Sequence, residues 1–311
     1  MNKQAELPVL LIPVYRGGSF FREAVNSIKP CLPWFRSCVI SINGKDATED
    51  RRCASSLAPL CQLTVLETGR DINAMEHIYY IANQLTFGLG FSKSTQLFIF
   101  CHDDLLAFQS FQSLDMAHWH GHGMRTISLG DYITFKDGES PNTGTGKSSF
   151  PGVSQSHRIS RSSFFVMQNS GADPFTNISG MRMSLDVLVT TLQFYRWTGS
   201  RSGMRIEYAL ATNKRVQTII NHCPPLVKIR SHPNSEGSIR NYSEFIASEL
   251  RYAIWLWLNC ASFTDFKALL KGRFNIKNVI RLTVMTLKHR YYEQLGKLRS
   301  MAIKLGLRPK G

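Results

Sequence analysis

A chain of 311 residues, 43% of them hydrophobic, can bury a sizeable core, which excludes a disordered protein and fits one large α/β domain with an appendage, or two domains. Its net charge of +15 is unevenly placed: Lys267 to Gly311 holds twelve Lys or Arg and one acid, Glu293, so the first 266 residues carry only about +4. A uniformly basic nucleic-acid binder is not built this way, and a near-neutral body with a basic tail calls for an anionic surface that the tail can meet.

Leu7 to Val14 is a continuous apolar run, the mark of a strand buried on both faces. Ser19 to Ile28 has helical spacing, with Phe20, Phe21, Ala24, Val25 and Ile28 on one side. Ser37 to Ile42 is a second strand, ended by Asn43-Gly44, and Leu63 to Leu66 a short third. Asp71 to Gln84 reads as a helix, and Leu97 to Cys101 as a fourth strand that stops at His102-Asp103-Asp104. This alternation predicts a mostly parallel sheet flanked by helices. In such sheets the ligand site lies beyond the carboxyl ends of the strands. Three polar clusters fall there: Tyr15 to Gly18, Asn43 to Asp46, and His102 to Asp104.

Residues 136–163 form a polar stretch rich in Gly, Ser and Pro, which suits a mobile lid. Phe164 to Met167 is predicted as a strand, Ser184 to Trp197 and Ile206 to Thr212 as helices, and Arg215 to Ile220 and Leu226 to Ile229 as strands flanking Pro224-Pro225. After Gly237 the pattern is helical to the end, and no internal repeat is visible. The organisation expected is residues 1–240 as the catalytic domain, in halves 1–110 and 111–240, and 241–311 as a helical, basic extension.

Among motifs, His102-Asp103-Asp104 is the strongest. Carboxylates at a strand end can hold Mg²⁺ or Mn²⁺, which take oxygen ligands and bridge to phosphates. The alternative is a solvated turn in which Asp104 caps a short helix. Gly144 to Ser148 imitates the end of a P-loop, but Pro141 stands where the pattern needs Gly and no apolar strand leads in. His118, His120 and His122 alternate without the Cys or acid that would complete a zinc set. Asp71 to His77 looks like a helix start beside the donor site, with residues of mainly structural use.

Leu10 to Tyr15 resembles the first-strand signature of family 2 glycosyltransferases, an apolar strand ending in Pro-Thr-Tyr-Asn or similar. Asn43 to Asp46 stands where that family has Asp-Asp-Gly-Ser, and Phe100 to Asp104 where it has Asp-x-Asp. Lys228 to His232, followed by Ser235 and Ser238, resembles the family's Tyr-Arg-x-His ending. Order and spacing agree over about the first 110 residues. The resemblance implies a GT-A (Rossmann-like) α/β fold and an inverting, metal-dependent transfer from a nucleotide-sugar donor to a growing glycan, one carried on a lipid in bacterial surface-polysaccharide assembly. It implies Pro13, Tyr15, Asn43, Asp103, Asp104 and Arg230 as donor-binding residues, Arg230 as a charge clamp on the diphosphate unless it is merely an exposed strand-end arginine. Asp103 becomes the metal ligand, with Asp104 supporting it or touching the ribose, and His232 completes the site unless it is a plain loop histidine. Cys101 replaces the first Asp of Asp-x-Asp, Val14 the usual Thr, Arg16 the usual Asn. Asn43 replaces an acid that holds the base, although an amide can still pair with uracil. The general base is expected at a helix start about a hundred residues on: Glu207, with Asp186 as runner-up. Gly180 would let the backbone approach the acceptor.

From Val284 onward, Leu287, Tyr291, Leu295, Leu298, Ala302 and Leu305 recur at three- and four-residue steps, with Lys288, Arg290, Lys297, Arg299 and Lys304 beside them. A basic amphipathic helix reads either as an element lying on anionic lipid or as one docked on the catalytic domain. Seven cysteines without a CxxC pair point to reduced thiols in the cytoplasm. Met1 to Leu7 lacks the apolar core of a signal peptide, and the run Ala253 to Cys260 is far shorter than the roughly 20 residues of a bilayer span, so a peripheral position on the inner membrane face is expected. Two competing readings remain: a catalytically inactive nucleotide- or glycan-binding module of the same fold, and, ranked last, a nucleic-acid binder.

Overall fold

The structure, a computed structural model, describes residues 7–114, 123–147, 157–169, 178–199, 206–232 and 242–304. The histidines 118, 120 and 122, the central part of the 136–163 stretch, and the segments holding Gly203, Ser235, Ser238 and Leu305 lie outside the described residues.

Strands β1 (Val9–Tyr15), β2 (Ser37–Asn43), β3 (Leu63–Glu67) and β4 (Gln96–Ile99) pair in parallel, in the order β3-β2-β1-β4. The apolar runs of β1, β2 and β4 follow from burial on both faces, whereas β3, at the end of the sheet, is only partly buried. Leu10, Ile12 and Val14 enter one core with Ile40, Phe98 and Phe100, while Val9 and Leu11 enter the other with Val39, Leu97 and Ile99. Alternation along each strand therefore sends every second side chain to an opposite core. Pro13 is tolerated in this central strand. Leu11 accepts a hydrogen bond from the Phe100 amide on the β4 side. Two residues on, Pro13 faces the same side, where β4 has already ended and no donor is missed.

The first core is covered by α1 (Gly18–Ile28), α2 (Thr48–Ser55) and α4 (Phe108–Gln112). Helix α1 buries Phe21, Ala24, Val25 and Ile28 of the stripe its spacing predicts, and leaves Phe20 only partly buried. Each of the large side chains contributes roughly 1.5–3 kcal/mol. The second core is covered by α3 (Ala74–Asn83), α5 (Arg161–Asn169), α6 (Leu185–Thr198), α7 (Ile206–Thr212), α8 (Tyr242–Asn259) and α9 (Phe263–Lys271). The result is the expected α/β class, a sheet flanked by helices. The core does not end at residue 240: Tyr252, Ala253, Leu256, Leu269 and Phe274 pack in the same cluster as Val9. No described side chain of α10 (Ile276–Lys304) is fully buried in that cluster.

Beyond β4 the sheet turns mixed. Strand β9 (Met181–Ser184) runs antiparallel to β4, and β6 (Thr126–Lys136) is parallel to β10 (Thr218–Ser231). The two predicted strands around Pro224-Pro225 are one strand, with an irregularity between His222 and Val227. That break lets its first half pair with β8 (His157–Ser160) and its second with β5 (Leu105–Leu106). Phe164 to Met167, predicted as a strand, lies inside helix α5. A short apolar run fits either state, and here Phe164, Phe165, Gln168 and Asn169 make one buried helical face. The short β7 (Thr145–Lys147), within the Gly-Ser-rich stretch, pairs with β6.

Candidate active site

The turn after β4 leads directly into β5, which pairs with β10 through Leu106–Val227 and Leu105–Lys228. This places residues 101–104 against the end of β10. His232 Nε2 lies 3.0 Å from Asp103 Oδ2, both side chains partly buried. The Phe20 ring packs against the imidazole, its centroid 5.1 Å away. Ligand atoms of Cys101, Asp103 and Asp104 fall within 4.8 Å of one another. Residues expected from the sequence to hold a metal thus meet at the carboxyl end of the sheet. A carboxylate and an imidazole in contact, flanked by a thiol, could hold a divalent cation.

Asp104 has a different task. It is buried, accepts from the Arg230 amide at 3.0 Å, and bonds to the Ser179 hydroxyl, which also accepts from the Cys101 amide at 3.0 Å. Burial, then the neighbouring Asp103 charge, pushes its carboxyl above the usual range. Of the two expected roles, this geometry favours support of Asp103 over contact with a ribose, because the Asp104 carboxylate is turned into the protein.

Arg230 is a correction. Neither an exposed strand-end arginine nor a diphosphate clamp, it is 6% exposed with its guanidinium spent inside the protein. Nε donates to the Asp103 carbonyl at 3.1 Å, Nη1 to Asp137 at 3.0 Å, and Nη2 to Glu23. The Phe20 and Phe135 rings lie 4.6 and 5.0 Å from its guanidinium carbon. Arg230 therefore ties α1, the turn after β4 and β10 together. Glu23, Phe20, Asp137 and Ser179 were not legible as site residues, because each acts through this protein-internal network.

Asn43 is also buried, and its amide is paired with a peptide rather than offered outward. Nδ2 donates to the Ile72 carbonyl at 2.7 Å, and Oδ1 accepts from the Ile72 amide at 3.1 Å. It fixes the loop before α3 against the end of β2. Tyr15, in register with Asn43, is 42% exposed and carries Arg16 over its ring at 5.1 Å. Arg16 takes a positive φ of 49°, and the two glycines that follow donate their amides to Asp50 at 3.1 and 3.0 Å. Beneath β2, His77 meets Ser41 at 2.8 Å, and burial, then nearby His102, lowers its pKa to about 4.

The two base candidates lie at opposite ends of the sheet. Asp186 follows β9, which runs antiparallel to β4. Its amide donates to Lys93 at 3.0 Å, before β4 begins, and its carboxylate faces Arg215 at 3.6 Å. It is separated from Asp103 by the whole length of β4 and is not part of this site. Glu207, buried at the start of α7, lies close enough to Tyr132 and Tyr195 that its charge helps raise both phenols. Tyr132 is in register with Val227, on the carboxyl side of the sheet where Asp103 stands. Gly180 belongs to that end too, but a Cβ there would meet Val227 Cγ2 at 2.9 Å, and its φ is +89°. The close approach that requires glycine is that of β10, not of an acceptor.

Strand order, flanking helices and a polar turn beyond β4 define a GT-A-like α/β fold. The fragment 1–349 of S. aureus TarS, solved in complex with UDP, superimposes with a TM-score of 0.52 at 10% identity, over 97% of this chain and 76% of that one. A second structure of the same fragment gives 0.50 at 10% identity with the same coverage. No protein-family model and no curated protein sequence matches the chain.

Proposed function

We propose that this chain is a metal-dependent, inverting glycosyltransferase that moves a sugar from a nucleotide-sugar donor to a glycan acceptor. The observation that carries the reading is the Asp103–His232 contact of 3.0 Å at the carboxyl end of the sheet, where such folds bind ligands. The UDP in the TarS fragment supports a nucleotide diphosphate as the donor's leaving group. Asp103 and His232 would hold Mn²⁺ or Mg²⁺, which would offset the charge building on the departing diphosphate. Asp104 and Arg230 keep Asp103 in place. The open Tyr15 face receives the nucleotide, with Pro13 and Asn43 shaping its floor. Glu207 takes the proton from the acceptor hydroxyl as that oxygen attacks the anomeric carbon from the face opposite the leaving group. A lipid-linked glycan at the cytoplasmic face of a membrane is the acceptor we favour. Among the described residues no helix is long and apolar enough to cross a membrane.

The test is a panel of nucleotide sugars assayed with Mn²⁺, with Mg²⁺ and with EDTA. Donor hydrolysis or transfer that needs the metal is expected. Metal-dependent binding of a nucleotide sugar with no turnover on any acceptor would instead identify a binding module.

A further inference from the structure

Helix α10 presents an apolar stripe to solvent that the fold leaves uncovered. Ile280, Val284, Leu287, Tyr291, Leu298 and Met301 follow one another at three- and four-residue steps, broken once at Gln294. Each is 58–63% exposed. The helix meets the body through its other side, where Val279 and Leu282 pack on the second core. With 29 residues, α10 is roughly 43 Å long at 1.5 Å per residue, against 18 residues in α8 beneath it.

Basic side chains border the stripe on both sides. By helical position, Lys277, Arg281 and Lys288 line one edge and Arg290 and Lys297 the other, all exposed. The helix has a single acid in its sequence, Glu293. An apolar strip flanked on both edges by long cationic side chains matches a bilayer interface, where the strip enters the acyl boundary and the cations reach the phosphates. A second copy of the helix is a poor occupant. In either orientation, Arg281, Lys288, Arg290 and Lys297 would border the seam and oppose their own charge.

We propose that the outer face of α10 docks on an anionic lipid surface. The docking does not depend on the transfer chemistry, since none of these residues lies in the site around Asp103.

The experiment is flotation of the full chain with vesicles of phosphatidylcholine alone or with about one third phosphatidylglycerol, which supplies the anionic surface that Lys and Arg side chains bind. Strong binding to the anionic vesicles and weak binding to the neutral ones is expected, partly released by salt. The triple variant Leu287→Ser, Tyr291→Ser, Leu298→Ser should lose at least tenfold in partitioning, as should Lys288→Glu, Arg290→Glu, Lys297→Glu. Both change exposed positions, so thermal unfolding and UDP binding should match the unmodified chain, and a failure of UDP binding in all three proteins would count against the transferase reading alone. Equal binding to neutral and anionic vesicles, or wild-type flotation of the serine variant, would overturn the docking. So would a dimer in sedimentation that the serine variant abolishes, or retention on single-stranded RNA without vesicle binding.

Discussion

Asp103 and His232 stand 129 residues apart in the chain and 3.0 Å apart in space. A turn and a strand pairing bring them together: β4 delivers Asp103 through the turn into β5, and β5 pairs with the last part of β10, which ends one residue before His232. Asp104, next to Asp103, bonds to Arg230 in the same strand. One acid faces the site and its neighbour faces the protein.

This division gives opposite expectations for adjacent residues. Asp103→Ala should abolish metal-dependent donor binding and turnover while the protein stays folded. Asp104→Asn should keep donor binding within a few-fold, because an amide oxygen can still accept from the Arg230 amide and no longer carries a charge that burial penalises. Isothermal titration with UDP and Mn²⁺ on both variants checks this. Equal loss in the two would mean that Asp104 touches the ligand.

For Arg230→Ala the expected loss is in stability, about 3 kcal/mol in urea unfolding, since a buried guanidinium with three side-chain hydrogen bonds is removed. Glu23 and Asp137 keep about half of their exposure and can turn to water, which holds the cost at the lower end of such changes. A diphosphate clamp would behave otherwise: Arg230→Ala would fold with unchanged stability and bind donor poorly. Unfolding curves and UDP titrations on one preparation separate the two.

What was legible in the sequence follows the same line. β1, β2 and β4 could be read because burial on both faces leaves runs that are almost wholly apolar, and the one buried hydroxyl inside β2, that of Ser41, is met by His77. β6 could not, because Gly130 and Asp131 interrupt it. Asp131 is nonetheless buried, accepting from Asn221 on β10 at 2.9 Å, and only the fold supplies that partner. β10 read as two strands because Pro224-Pro225 imitates a turn, whereas an irregularity absorbs it. That Asp103 and His232 meet was legible because both follow strand ends on the carboxyl side of the sheet. Arg230 was misread because a sequence cannot distinguish an arginine that clamps a phosphate from one that clamps Glu23 and Asp137. The antiparallel entry of β9 put Asp186 at the wrong end of the sheet, and spacing alone does not report strand direction.

His77 supplies a pH dependence. Its folded pKa, about 4, lies below the unfolded value of about 6.5, so the unfolded chain takes up the proton first as pH falls. Stability from the neutral imidazole is therefore full above pH ~6.5 and declines through the window down to pH ~4, by at most about 3 kcal/mol. His77→Gln can keep the contact with Ser41 and cannot titrate, so its unfolding free energy should fall less steeply between those limits. Parallel pH profiles by urea unfolding give the comparison, and identical slopes would show that the drop comes from other groups.

The last expectation concerns the base. Glu207 and Asp186 both begin helices, both are largely buried, and either would fit a carboxylate some hundred residues beyond the metal turn. Only Glu207 neighbours Tyr132, whose register partner Val227 lies three residues before Arg230 and so about 10 Å along the strand from the metal turn. Asp186 caps the far end, against Lys93 and Arg215. If Glu207 accepts the acceptor's proton, Glu207→Gln keeps the shape and removes the basicity. It should bind UDP with unchanged affinity and lose about 10²–10⁴-fold in kcat. Asp186→Asn should keep its turnover within a few-fold and lose only modest stability as the Arg215 contact weakens. Steady-state transfer with titrated UDP on each variant decides between them. A normal kcat for Glu207→Gln would remove it from the chemistry, and a selective loss in Asp186→Asn would require the acceptor to enter from the opposite edge of the sheet.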